Sequence, residues 1–367
     1  MTHPPDSERP CLALLYGTRP QVIKASALAA GLTPQWDVFA VDTGQHYDYA
    51  LNALLYAQLG VRQPDVCLDA GSGDHATQTA TVLTRAAAVL AGRGPRHPRV
   101  AVVVGDTNST LGCALAAAKL RIPVVHVEAG LHCADALMAE EINRRAVDAI
   151  SAVCCTPSAA ATERLRRGRA PVVVVETGDV AFDVLTRVLP RLPPAAEATA
   201  WPLPPGTSFV LATIHRAELV DDVAALTDAV HALGRIRFPV VFAVHPRTNA
   251  VLEAAGVTTP PGVHRIPPLG YLETIAAVRD AAAVVTDSGG LQREAYWLGT
   301  PCITLRSETE WTETVAVGAN RLVSRDDLPA LASAVHDAVH ARATWNRTAY
   351  GDGTAVARVA SAVAGFR

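Results

Sequence analysis

Arg99-Val100-Ala101-Val102-Val103-Val104-Gly105-Asp106-Thr107-Asn108-Ser109 changes character twice within a short span. An unbroken Val/Ala run gives way to Gly-Asp, and then to Thr, Asn and Ser ahead of a segment rich in Leu and Ala. An apolar run without alternation fits a strand covered on both faces, as in a parallel sheet. The polar residues behind it mark a turn and the start of a helix. Strand, turn and helix in that order form the repeating unit of a parallel α/β sheet.

The same unit recurs on both sides. Strands are predicted at 11–16, 36–42, 99–105, 123–127, 152–155 and 172–176. Helical segments begin near Gln21, Tyr49, Ala76, Ser109, Glu141, Ala159 and Val180, with apolar residues recurring at three and four. The alternation then breaks: residues 189–206 carry too many prolines for a regular element and read as a linker. Beyond it, strands are predicted at 208–214, 240–244, 283–286 and 301–304, with helices between. Two last helical segments, 328–341 and 354–363, have no strand after them.

A chain of 367 residues has length enough for two domains, each with its own core. The division expected is 1–10 as a flexible N-terminus, 11–188 as a first domain, 189–206 as linker and 207–345 as a second domain. Residues 346–367 are then a C-terminal helix that could pack back on the first domain. Half the residues are apolar and 18% charged, a globular composition. A net charge of -3 provides no footprint for nucleic acid. Seven cysteines lack any C-x-x-C spacing and fit free thiols in a reducing cytoplasm. The first ten residues do not read as a signal peptide, and no apolar stretch is long enough to span a membrane.

In open α/β sheets, ligands gather beyond the carboxyl ends of strands. Polar clusters fall at those places: residues 16–20, 105–109 and 126–130, His215-Arg216, and 287–290. Five such clusters in two domains imply a charged cleft between them. Ser288-Gly289-Gly290 opening a helix reads as a phosphate cradle, or as no more than a tight turn. Glu294, one turn in, could accept from ribose hydroxyls. Arg19 and Lys24, cations at a helix N-terminus, oppose the macrodipole, which favours anion contact over helix stability as their reason. A solvated Lys24 is the plainer alternative.

Asp106, Glu128 and Glu140 form the candidate acid–base set. Asp106 could instead cap the following helix. The Glu140-Glu141 pair could simply sit well in a first turn, with Glu141 paired to Arg144 or Arg145. His215 reads as a general acid or hydrogen-bond donor, or as a core histidine. No metal-binding spacing and no dinucleotide or nucleoside triphosphate motif is present, so neither metal nor cofactor is expected.

In order along the chain stand GTRPQVIK (17–24), TGQHYD (43–48), GDTNSTL (105–111), HVEAGL (126–131) and EEINRRAVD (140–148). They continue with TGDVAFDVL (177–185), TIHRAE (213–218), HPRT (245–248), LGYLE (269–273) and DSGGLQREAYWLGTPCITLRSETEWTET (287–314). Together they resemble the non-hydrolysing UDP-N-acetylglucosamine 2-epimerases, from about residue 11 to 325. The resemblance implies the two-domain fold of B-type glycosyltransferases (GT-B): two Rossmann-like domains whose parallel sheets face an interdomain cleft. It implies a UDP-sugar substrate, a cytoplasmic homodimer, and epimerisation at C2 by elimination and re-addition of UDP.

The resemblance also carries roles for particular residues. Arg19, Lys24, His245, Ser288, Gly289, Gly290, Glu294 and Arg306 fall on positions that hold UDP. Asp106, Glu128 and Glu140 fall on the essential carboxylates, and His215 on the essential histidine. Gln45 and His46 fall beside a regulatory nucleotide pocket that some members possess. Departures surround the sugar: Gln21 replaces the usual Glu, His132 the usual Arg, Asp179 a common Asn, and 136–139 a segment that usually carries Arg and Pro. After His215-Arg216, Ala217 and Leu219 replace the frequent Arg and Asn. The spacing from Glu128 to Glu140, with Thr-Glu-Trp ending at Trp311, resembles the branch that includes epimerases for UDP-2,3-diacetamido-glucuronate. A glycosyltransferase would have no use for a carboxylate set that shuttles the C2 proton, and Asp106, Glu128, Glu140 and His215 together speak against a sugar-nucleotide-binding regulator; a hydrolysing variant that releases ManNAc and UDP is a further alternative.

Overall fold

A computed structural model describes residues 9–45, 55–56, 58–60, 62–71, 73–92, 97–168, 172–192, 202–341 and 344–367. The expected flexible N-terminus up to residue 8, the helix start near Tyr49, His46, and residues 193–201 of the linker lie outside them.

Two compact units divide the chain. One runs to Val188 and takes back Thr348–Arg367; the other is Leu189–Arg347. The first is built on a parallel sheet of β1 (Cys11–Tyr16), β2 (Asp37–Asp42), β3 (Val66–Cys67), β4 (Val100–Val104), β5 (Val124–Val127), β6 (Val153–Thr156) and β7 (Val173–Glu176). Its spatial order is β3-β2-β1-β4-β5-β6-β7. The second carries β8 (Val210–Thr213), β9 (Val240–Ala243), β10 (Val263–Ile266), β11 (Ala283–Thr286), β12 (Cys302–Thr304) and β13 (Asn320–Leu322), all parallel, in the order β10-β9-β8-β11-β12-β13. Each sheet therefore reverses direction once, between β1 and β4 and between β8 and β11. This is the Rossmann-like winding, in which the reversal opens a crevice at the carboxyl ends of the two central strands.

The central strands match the predicted runs within two residues at either end. Val100 to Val104 are fully buried, as a strand covered on both faces requires. The reading missed β3, β10 and β13, and all three are edge strands. An edge strand is half solvated and needs no continuous apolar run. β10 reads Val-His-Arg-Ile, and β3 and β13 are only two and three residues long.

The last helix, Ala355–Val363, belongs to the first unit. Asp183, buried in the helix Val180–Val188, accepts from Ala355 N at 3.0 Å and from Val356 N at 2.8 Å. It thereby satisfies two first-turn N–H groups that no helical carbonyl can reach. Asp179 N donates to the carbonyl of buried Tyr350 at 2.8 Å. Replacing Asp183 with Ala leaves those donors buried without an acceptor, at a cost of about 1–3 kcal/mol. The denaturant midpoint of the first unit should fall accordingly in Asp183→Ala, while Asp183→Asn, which keeps one acceptor oxygen, should lose less.

Candidate active site

In the first unit the loop leaving β1 is drawn tight by one side chain. Gln21 Oε1 accepts from Gly17 N at 2.8 Å and Thr18 N at 3.1 Å. Its Nε2 donates to Val104 O at 2.7 Å and to the hydroxyls of Thr107 and Thr110, each at 2.9 Å. The β1 and β4 loops, on either side of the strand-order reversal, are stitched together by that amide. Gly17 is glycine because a Cβ there would run into the hydroxyls of Thr43 and Ser109. Arg19 follows as the first residue of the helix Arg19–Leu32, half-exposed.

Asp106 follows β4. It does not cap the next helix: Thr107 does, accepting from Thr110 N. The Asp106 carboxylate is paired with Arg144, and its carbonyl accepts from Asn143 Nδ2 at 2.9 Å. Glu128 follows β5, whose Val127 lies in register with Val104 of β4, so both carboxylates leave the same end of neighbouring strands. Glu128 holds φ 73°, a left-handed conformation that costs a non-glycine residue energy and concentrates at functional sites. Its partner is Lys24, whose side chain is 6% exposed. Lys24 is thus not a solvated lysine, which corrects that sequence alternative.

Glu140 and Glu141 separate clearly. Glu140 is half-buried in the first turn of the helix Ala139–Ile150. Glu141 is fully buried and meets His132 Nδ1 at 2.7 Å, Arg145 Nε at 2.7 Å, Cys133 N at 3.1 Å and Arg144 at 3.3 Å. Burial pushes the Glu141 carboxyl up, but these donors outweigh it and hold the group below its ordinary range. Asp148, two turns on, accepts from Gly130 N at 3.1 Å and lies 2.6 Å from His126 Nδ1 and 3.3 Å from His132 Nε2. Burial opposes its ionisation too, yet the His126 and His132 contacts hold it well below the usual carboxylate range.

His126 is wholly enclosed on β5, with Nε2 2.7 Å from Gly105 O. His126, Asp148 and Cys154 are the described residues that group as a metal site would, within 4.8 Å. Both His126 nitrogens are already engaged with oxygens, so the trio is a hydrogen-bonded cluster. Gln45 accepts from Ser109 Oγ at 2.6 Å.

The second unit repeats the arrangement at its own reversal point. Thr213 and Thr286, paired in register at the ends of β8 and β11, join hydroxyls at 2.7 Å. Asp287, fully buried, accepts from the N–H groups of His215 and Arg216 at 2.8 Å each. The His215 ring lies with Nδ1 3.1 Å from Asp287 and its side chain 39% exposed, so it is no core histidine. The His245 ring is 6.0 Å from it, at the N-cap of the helix Pro246–Ala254. Ser288 caps the helix Gly289–Leu298, in which Glu294 is half-buried. A Cβ on Gly289 would press on Glu310 and Trp311, whereas one on Gly290 would meet, among the described residues, only Ser288 Oγ at 3.7 Å. Arg306 is buried and bonded to Glu310 at 2.9 Å.

A family model described as UDP-N-acetylglucosamine 2-epimerase matches residues 31–364. The chain belongs to that family. It is 39% identical over 317 residues to the UDP-2,3-diacetamido-2,3-dideoxy-D-glucuronate 2-epimerase of Pseudomonas aeruginosa, covering 84% of this chain and 87% of the relative. The crystal structure of Methanocaldococcus jannaschii UDP-GlcNAc 2-epimerase in complex with UDP-GlcNAc and UDP superposes with a TM-score of 0.87 at 33% identity, over 96% of this chain and 99% of that one. CalG4, the calicheamicin glycosyltransferase, shares the fold at a TM-score of 0.55 and 13% identity, over 98% of each chain. The GT-B class is therefore that of this epimerase-family chain.

Sequence reading did not find the partners of the epimerase family's candidate groups: Arg144 for Asp106, Lys24 for Glu128, Asp287 for His215, and the His126–Asp148–His132 cluster. One signal was available. Glu141, Arg144, Arg145 and Asp148 recur at three and four, so they share a helix face.

Removing Lys24 takes a cation from the mostly buried Glu128 carboxylate, a kind of loss that costs about 3–5 kcal/mol. Lys24→Met should therefore destabilise the first unit more than the double variant Lys24→Met/Glu128→Gln. Denaturant titrations of the full cycle would show the coupling.

Proposed function

We propose that the protein interconverts UDP-GlcNAc and UDP-ManNAc, with Asp106, Glu128, Glu140 and His215 at the reacting sugar and UDP. One observation carries this reading: both parallel sheets put their charged and glycine-rich groups at the strand-order reversal, carboxylates in the first unit and the Ser288 helix start in the second. The relative from Methanocaldococcus jannaschii, crystallised with UDP-GlcNAc and UDP, supports the substrate class.

The C2 proton of the sugar is not acidic in the ground state, so cleavage of the C1–O bond leads. UDP departs with the bonding pair, leaving cationic character at C1 that a carboxylate stabilises. A carboxylate takes the C2 proton, giving 2-acetamidoglucal and UDP. Protonation of C2 from the opposite face and return of the UDP oxygen to C1 complete the inversion. Glu128 and Asp106 leave neighbouring strand ends and supply the proton-transfer groups, with Glu140 close by in chain. Helix N–H groups behind Ser288 hold the diphosphate. The room at Gly290, a residue that costs a helix about 1 kcal/mol against Ala, suits close approach of a phosphate. Asp287 lies 3.1 Å from His215 Nδ1, which leaves Nε2 available to the departing oxygen. Arg19, His245, Glu294 and Arg306 complete the proposed UDP site, Lys24 acting through Glu128. Gln45 and His46 are proposed only as neighbours of a regulatory pocket.

The likeness to the Pseudomonas aeruginosa epimerase favours a second reading, a 2,3-diacetamido sugar as substrate. Against a uronate stands the segment 136–139, Ala-Leu-Met-Ala, which provides no cation for its carboxylate. The family likeness also supports a homodimer, which light scattering would test.

Incubation with UDP-GlcNAc in deuterium oxide should place deuterium at C2 of UDP-ManNAc, followed by NMR. Release of free ManNAc would indicate hydrolysis, and turnover confined to the diacetamido-glucuronate would favour the second reading. Asp106→Asn and Glu128→Gln should abolish turnover while UDP affinity by calorimetry stays within about threefold, because neither is assigned to UDP.

A further inference from the structure

The first unit holds a closed ring of charged groups around Asp106. Starting at its carboxylate, the contacts run to Arg144, to Glu141, to His132, to Asp148, to His126, and end on the carbonyl of Gly105, the residue before Asp106. Asp106 is thus fixed from two sides: Arg144 holds its carboxylate, and His126 holds the peptide that leads into it.

The proton count in this ring is constrained by geometry. A neutral imidazole has one N–H and one lone pair. His126 faces oxygens with both nitrogens, Asp148 at 2.6 Å and Gly105 O at 2.7 Å. Only the imidazolium donates to both. Its enclosure would push its pKa down, but Asp148 and the Gly105 carbonyl more than offset this and raise it. His132 is built the same way, with Nδ1 2.7 Å from Glu141 and Nε2 3.3 Å from Asp148, but its side chain is 16% exposed. It is the histidine of the ring within reach of solvent protons.

We infer that His132 is a positioning residue. It clamps Glu141 to Asp148, and through them it steadies Arg144 on Asp106 and His126 on the Gly105 carbonyl. The groups around it are Glu141, Arg144, Arg145 and Asp148 on its packing helix, His126 on β5 and Cys133 beside it. Cys154 on β6 lies 3.8 Å from the Asp148 carboxylate, and Arg164 of the helix Ala159–Arg167 donates to Gly130 O at 2.6 Å.

The inference rests on the epimerase reading for its catalytic consequence, so two readouts are needed. Imidazole 15N NMR of the whole protein reads the ring without substrate. In the wild type His126 should carry protons on both nitrogens, and its signals should shift in His132→Gln. A neutral His126, or one indifferent to His132, overturns the proposal even if epimerisation is confirmed. Absence of epimerisation with normal NMR behaviour would instead remove the functional reading.

In kinetics, His132→Gln should lower kcat about tenfold to hundredfold with KM within about threefold, the scale of a misplaced catalytic group. His132→Arg keeps its charge at every working pH and has donors for both carboxylates, so it should rescue most of that loss. A His132→Arg variant whose kcat falls about tenfold or more overturns the proposal, and it decides alone if His132→Gln does not fold.

Discussion

A carboxylate taken out of water must be met by donors, and Asp148 is met by three: His126, Gly130 N and His132. That requirement organises much of the first unit. It places a histidine inside β5 where an aliphatic residue would otherwise stand, and it ties the helix Ala139–Ile150 to the strand ends beneath it. In the loop after β5, Glu128 is held at φ 73°, a conformation that a non-glycine residue avoids. Glu141 adds a second buried carboxylate on the same helix face, sharing His132 with the first. Two negative charges are thereby neutralised by groups that also reach Asp106.

The second unit solves the same problem with fewer parts. Asp287 leaves β11 as Asp106 leaves β4, but it accepts from two backbone N–H groups in place of an arginine. This fixes the loop that carries His215 and leaves the ring itself half-exposed. Both units thus use a buried acid to secure the loop beyond a strand end. The first presents carboxylates there, the second a histidine and a glycine-rich helix start.

The central strands could be read from the sequence because burial on both faces demands continuous Val, Ala and Leu, and β1, β4 and β11 carry it. Edge strands β3, β10 and β13 escape the same reading because solvent relieves that demand. The candidate polar residues were legible from position, since each follows a strand. Their partners were not. Nothing local in the sequence links Lys24 to Glu128 or His126 to Gly105; those pairings arise only when separate strands come into register. His132 was visible as a departure from the family pattern, without any sign of what it touches. The side-by-side carboxylates Glu140 and Glu141 carry equal weight in sequence, and only burial tells the half-exposed one from the one locked in a network.

The return of Thr348–Arg367 to the first unit has a consequence for biosynthesis. Leu189–Arg347 is a continuous stretch that can fold as it emerges from the ribosome. The unit made earlier cannot finish, because Asp183 waits for N–H groups of a helix translated after its neighbour. Its nascent form therefore exposes an incomplete seam for the whole time that its neighbour is being made. Chain order and completion order are inverted.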